Sequence, residues 1–151
     1  MKELVLFYSY SGNTKRAAEK FAQENNLDIC EVADKKKKPN KFYAFVVGCF
    51  KSMKGSAVKI QPLTVKFEDY DIINIFAPIW ASHIAPAMNG AIKLIPAGTK
   101  IKLFMVSAGG ESAKDNISKR IEGLGLEIAG YENIIDTTGL KLKKNNKDKN
   151  I

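Results

Sequence analysis

Apolar and polar positions along the chain repeat with two different periods. Leu4–Tyr8 is a short apolar run of strand formers. Thr14–Asn25 instead sets Ala17, Ala18, Phe21 and Ala22 on one face at helical spacing. Leu27–Val32 interleaves Leu27, Ile29 and Cys30 with acidic residues, which predicts a short edge strand. Tyr70–Ala77 and Lys102–Ser107 are nearly all apolar, as strands covered on both faces should be. Pro86–Ile95 opens on a proline suited to the first helical position and aligns Met88, Ala91, Ile92 and Ile95. Ser112-Ala113-Lys114-Asp115 reads as a weak capping box, and Ile117, Ile121 and Leu124 carry the stripe on until Gly123 and Gly125 end it. Leu126–Thr137 is a last strand-like segment. Strands alternating with helices in this way predict an α/β domain built on a parallel sheet.

Two stretches depart from the alternation. Asn40–Lys54 places Phe42, Phe45, Val46, Cys49, Phe50 and Met53 on one side, which predicts an amphipathic helix packed on the sheet. A linker then runs through Gly55 and Pro62 to Asp69. At the other end, the chain beyond Gly139 has too few apolar residues for a packed helix. The expected organisation is one domain over residues 1–140, followed by a basic tail over 141–151.

A chain of 151 residues suffices for one domain with a sizeable core. No apolar run approaches the roughly 20 residues that cross a bilayer. The apolar stretch at the N-terminus is too short for a signal peptide, so a cytoplasmic, non-membrane protein is expected. The net charge is +8, but Lys141–Ile151, with five lysines and one aspartate, carries half of it. Much of the rest sits in the run Lys35–Lys38. A basic tail and a basic loop read as solvated chain, so no nucleic-acid partner is expected. Cys30 and Cys49 lie on core-like segments without metal or redox spacing and read as buried thiols. No metal site is expected.

Ligands of open parallel sheets bind beyond the carboxyl ends of the strands. Three segments follow predicted strands and would meet there. Ser9-Tyr10-Ser11-Gly12-Asn13-Thr14 offers hydroxyls, an amide, a glycine and a helix N-terminus, which suits a phosphate. A polar turn into a capped helix would read the same way. Lys15 and Arg16 follow, and a helix would point them outward. Neither a dinucleotide fingerprint nor a P-loop pattern is present. Pro78–Pro86 holds Trp80, the sole tryptophan, and His83, the sole histidine, between two prolines. The indole can stack on a flat ring or fold onto its own domain. His83 can tune a ligand or be an ordinary loop residue. Ser107–Ser112 contains Gly109 and Gly110, which let backbone approach a planar ligand, or simply make a turn.

Together these segments resemble the flavodoxin-like FMN-binding proteins, nearest to the short bacterial flavodoxin family. The phosphate loop there is a Ser/Thr-x-Ser/Thr-Gly-Asn-Thr pattern, and Ser9–Thr14 matches it throughout. Tyr70–Ile73, Pro78–Ala81 and Ser107–Gly110 continue the likeness in the correct order. The resemblance implies a three-layer fold with five parallel strands in the order 2-1-3-4-5. It implies FMN as cofactor, with its phosphate in the loop Ser9, Tyr10, Ser11, Gly12, Asn13 and Thr14. The isoalloxazine would lie between Pro78, Ile79, Trp80, Ala81, Ser82 and His83 on one side and Ser107, Ala108, Gly109 and Gly110 on the other. Three departures stand out. Ala77 replaces a common Ser or Thr, Phe76 replaces a small residue, and the final helix is short or missing. Without that helix, one sheet face would expose apolar surface unless a second subunit or the tail covered it. Tyr10, the bulky residue of the loop, is expected to face solvent or a neighbouring subunit.

The function implied is a flavodoxin-type redox protein without catalytic side chains, carrying electrons to a partner protein. Alternatives are a small NAD(P)H-dependent FMN quinone reductase and a flavin-free binding module on the same scaffold.

Overall fold

In a computed structural model of the chain, residues 1–36, 47, 51 and 53–136 are described. Among the described residues, six strands and three longer helices follow in order. They are β1 (Glu3–Phe7), α1 (Asn13–Asn25), β2 (Asp28–Glu31), β3 (Ile72–Trp80), β4 (His83–Ile84), α2 (Pro86–Ile92), β5 (Lys100–Ser107), α3 (Lys114–Glu122) and β6 (Glu127–Ile135). The sheet order is β2-β1-β3-β5-β6, with β4 paired antiparallel to β3. All other pairings are parallel. With the two-residue β4 set aside, this is the expected 2-1-3-4-5 order.

The two faces of the sheet are built differently. On the first, Leu4, Leu6, Ile73, Ile75, Ile101, Leu103 and Met105 pack against Met88, Ala91 and Ile92 of α2 and Ile117 and Ile121 of α3. The linker joins this layer. Val58, Ile60, Leu63 and Val65 pack on the same core, and Val58 N donates to Pro86 O at 3.3 Å. Gly90 permits this approach, because a Cβ there would lie 2.5 Å from Val58 O.

The second face is covered by α1 through Ala18 and Ala22, with Ala17 and Phe21 partly buried beside them. Phe76 and Phe104 stack with centroids 4.4 Å apart, and Phe21 tilts over both at 5.3 and 5.1 Å. Phe76, bulky where a small residue was expected, is thus the centre of an aromatic layer. Further toward the strand starts the same face turns polar. Asn74 Nδ2 donates to Glu3 Oε2 at 2.9 Å, and Lys102 Nζ lies 3.8 Å from Glu3. Among the described residues, Asn74 Oδ1 finds no donor. On this face Val5, Phe7, Phe76, Phe104 and Val106 are all buried.

Several local expectations are corrected. β3 does not stop at Ala77 but continues through Pro78 to Trp80, so the predicted loop is a β-hairpin. Ser112 does not cap α3. Its N-cap is Ala113, and the Ser112 hydroxyl bonds instead to Asn133 Oδ1 at 2.6 Å and to the Tyr131 hydroxyl. Leu124 lies beyond the end of α3 and is exposed, while Leu126 takes the buried position. Met53 is 57% exposed rather than packed on the sheet. Most of the predicted helix Asn40–Lys54, including Cys49, lies outside the described residues, as do Lys37, Lys38, Thr137 and the expectations for the final helix and tail. Cys30 is a buried free thiol, 3.7 Å from Thr64 Oγ1. Among the described residues, no helix is long and apolar enough to cross a membrane.

Candidate functional site

β1, β3 and β5 are adjacent and parallel, so their carboxyl ends open side by side. This is what brings the three predicted segments to one edge. The first, Ser9–Thr14, leads into α1. Gly12 is the N-cap with φ +97°, a left-handed conformation that an L side chain rarely adopts. A Cβ there would meet no atom within 4 Å, so the glycine serves backbone shape and leaves open space. Ser9 Oγ accepts from Gly12 N at 3.1 Å, which folds the loop onto itself. The intrahelical ladder begins with Arg16 N donating to Gly12 O. The amides of Asn13, Thr14 and Lys15 precede it at the positive end of a 13-residue helix. No acidic residue occupies that first turn. The Thr14 side chain is buried, whereas Tyr10 and Ser11 are exposed.

The second segment is the β3–β4 hairpin. Trp80 pairs with His83, and the turn between them is Ala81 at φ 48° and Ser82 at φ 65°. Two consecutive positive φ values suit the right-handed twist of a two-residue hairpin, but glycine and asparagine usually supply them. Ala and Ser hold the turn at a strain cost. It is braced by His83 Nδ1 at 2.8 Å from Ala81 O and by Ala113 N, which donates to Ser82 O at 2.7 Å. Trp80 is 6% exposed. It makes edge contacts with Tyr8 (centroids 6.3 Å apart, 72°) and Tyr10 (5.6 Å, 86°). Tyr10 thus leans on the hairpin rather than simply facing solvent. The Tyr8 hydroxyl donates to Asp34 Oδ2 at 2.7 Å, and burial, aided by that carboxylate, pushes the phenol well above its ordinary range.

In the third segment Ser107 Oγ donates to Gly110 O at 2.7 Å and accepts from Gly109 N at 3.4 Å. Gly109 has φ +146°, and neither Gly109 nor Gly110 would meet an atom within 4 Å if it carried a Cβ. Ala108, Gly109 and Gly110 are exposed.

These segments are joined by contacts that the sequence did not announce. Arg16 lies on the exposed side of α1, as expected, but also reaches across the edge. Its Nη2 donates to Asn13 Oδ1 at 2.9 Å and to Asp136 Oδ2 at 3.2 Å. Asp136 N in turn donates to Ser107 O. Arg16 and Asp136 lie 120 residues apart. The only local sign was the Asn13–Arg16 spacing, which puts both on one helical face. Chemically, the edge offers helix amides to an anion, open glycine backbone to a flat group, and an aromatic cluster between them.

No protein-family model matches the chain, and no curated protein does. Solved structures do. A flavoprotein from Lactobacillus acidophilus NCFM, crystallised in complex with FMN, superposes with a TM-score of 0.73 at 24% identity, covering 87% of this chain and 92% of that one. Two-electron reduced Megasphaera elsdenii flavodoxin gives 0.55 at 16% identity, covering 90% and 88%. A flavodoxin from the domain Archaea gives 0.52 at 17%, covering 92% and 87%. The chain has the flavodoxin-like fold.

Proposed function

We propose that the protein binds FMN at the carboxyl edge of its sheet and works as a flavodoxin-type electron carrier. The observation that carries this reading is the convergence of a Ser-x-Ser-Gly-Asn-Thr turn, open at a helix N-terminus, with the Trp80 hairpin and the Gly109-Gly110 turn. The FMN complex of the Lactobacillus acidophilus neighbour supports the choice of cofactor. Ser9, Ser11, Gly12, Asn13 and Thr14 would hold the phosphate. The hairpin Pro78–His83 and the turn Ser107–Gly110 would flank the ring. The three glycines fit, since each faces open space where a side chain would stand. FMN, when bound, supplies the electron or hydride chemistry; the protein orients it and limits solvent access.

A net charge of +8 favours an acidic partner protein, because opposite charge steers encounter. A second reading, a small NAD(P)H-dependent quinone reductase, draws on the exposure of Ala81, Ser82, Ala108, Gly109 and Gly110, which leaves room for a small acceptor. The decisive measurement is titration of purified protein with FMN, followed by photoreduction. A yellow complex of about one FMN per chain supports the proposal. A colourless protein that ignores micromolar FMN sinks it. Steady NADPH oxidation with a quinone would move the assignment from carrier to reductase.

A further inference from the structure

We infer that Tyr10, rather than Trp80, is the aromatic surface met by the flat ring of a phosphate-bearing ligand at this site. The inference rests on the FMN reading above and assigns its ring contact.

A planar heteroaromatic needs an open apolar face. Among the described residues, three aromatic side chains in mutual contact gather at the carboxyl edge: Tyr8, Tyr10 and Trp80. The turn Ser107–Ser112 contributes none. Two of the three are closed off. Tyr8 is 3% exposed and its hydroxyl is tied to Asp34. Trp80 is 6% exposed, with its ring engaged by both tyrosines. Tyr10 is 38% exposed. It is seated on Trp80 at 5.6 Å with the rings near perpendicular, so the indole backs it while leaving part of the phenol open. The three rings form a stack of decreasing burial that begins at the Tyr8–Asp34 hydrogen bond and ends at the surface with Tyr10.

The position of Tyr10 in the chain gives this arrangement its meaning. It stands between Ser9, which closes the phosphate turn, and Gly12, which caps α1. The ring contact and the anion contact are then made by one six-residue loop. A ligand carrying both groups is gripped by a single loop, and each half helps order that loop for the other. Trp80 serves as a positioning residue that holds Tyr10, and not as the shelf itself.

The test measures FMN, riboflavin and inorganic phosphate binding to the full chain as wild type, Tyr10→Ala, Tyr10→Phe and Trp80→Phe. Flavin fluorescence reports flavin binding, and calorimetry reports phosphate. The expected pattern is that Tyr10→Ala weakens FMN and riboflavin about tenfold and leaves phosphate unchanged. Tyr10→Phe keeps flavin affinity within about twofold, because the ring face remains. Trp80→Phe keeps it within about threefold, since a phenyl ring still backs Tyr10. The circular dichroism spectrum and a cooperative thermal unfolding transition verify that Tyr10→Ala is folded. Wild-type affinity in folded Tyr10→Ala overturns the inference. So does a larger loss in Trp80→Phe than in Tyr10→Ala. If wild type itself binds no FMN, the proposed function fails and this inference goes with it. Binding by wild type with no effect of Tyr10→Ala removes the inference alone.

Discussion

The two ends of the sheet solve opposite problems. At the amino end, where the strands begin, charged and polar groups find fixed partners. Lys2 Nζ lies 3.4 Å from Asp28 and 4.7 Å from the centre of the Tyr70 ring, and its backbone N–H donates to Asp71 Oδ2 at 2.7 Å. The Tyr70 hydroxyl donates to Asp28 Oδ2 at 2.9 Å. The backbone there also turns through positive φ, at Asn26, Gly98 and Gly125 just ahead of β2, β5 and β6. At the carboxyl end Gly12, Ala81, Ser82 and Gly109 are at positive φ, and here two of them, Ala81 and Ser82, are neither glycine nor asparagine. Its helix amides point outward ahead of the first intrahelical bond. One end spends its polar groups on itself; the other holds them ready, with the strain braced from outside by bonds such as Ala113 N to Ser82 O.

The contrast can be broken most directly at Gly12. Gly12→Val forces a branched residue to φ +97°, at a stability cost of about 1–2 kcal/mol. Because the turn must reshape, FMN affinity should fall on the order of 100-fold. Calorimetric titration checks this, and thermal unfolding checks the stability. If affinity survives, the Ser9–Thr14 turn is not the anion site and the carboxyl end loses its special standing.

The hairpin offers a sharper case. Ala81→Gly removes one strained residue, so stability should rise by about 1 kcal/mol, or roughly 3 °C in melting temperature for a domain of this size. A fall would mean that the turn holds Ala81 without strain.

What could be read from the sequence follows the range of the forces involved. The placement of the strands and of α1, α2 and α3 came from local periodicity, which acts within one element, and the strand order from the resemblance to flavodoxin-like proteins. The Ser9–Thr14 turn was legible because glycine, hydroxyls and helix start are contiguous. The hairpin was hidden by Pro78, which reads as a break. Yet β3 continues past it, because Pro78 still has Val106 of β5 as its neighbour and its carbonyl accepts from Ala85 N. Ser112 looked like a cap because the partners that claim its hydroxyl, Tyr131 and Asn133, lie 19 and 21 residues on. The partner of Arg16 was hidden because Asp136 is distant in sequence. Side-chain pairs across elements were the illegible part, and they are what joins the three loops into one site.

Arg16→Ala probes such a pair. The guanidinium is half exposed, so the lost contacts to Asn13 and Asp136 are screened and cost no more than about 1 kcal/mol. FMN affinity should drop by about fivefold as Asn13 loses its anchor. The stability difference should shrink as salt is raised. A change that salt does not touch would point to packing rather than charge.

The smallest effect belongs to the amino end and tests whether it is truly separate. Burial, with the Asp28 carboxylate beside it, pushes the Tyr70 phenol from 10.0 to about 12. The Tyr70 hydrogen bond, with Lys2 nearby, lowers Asp28 below its ordinary value. A raised phenol means that the folded state keeps its proton longer than the unfolded chain. The stability linked to it is complete below about pH 10 and is lost as pH rises through about 12. Asp28 works the other way: its contribution is present above the ordinary carboxylate range and disappears as pH falls through the lowered value. Asp28→Asn should therefore bring the phenolate absorbance transition of Tyr70 part of the way back toward 10.0, because burial, the larger cause, stays. FMN affinity should not move, since no contact of this cluster reaches the carboxyl loops. If Asp28→Asn did weaken FMN, the parallel strands would be transmitting strain along their length, and the two ends would have to be treated as one device.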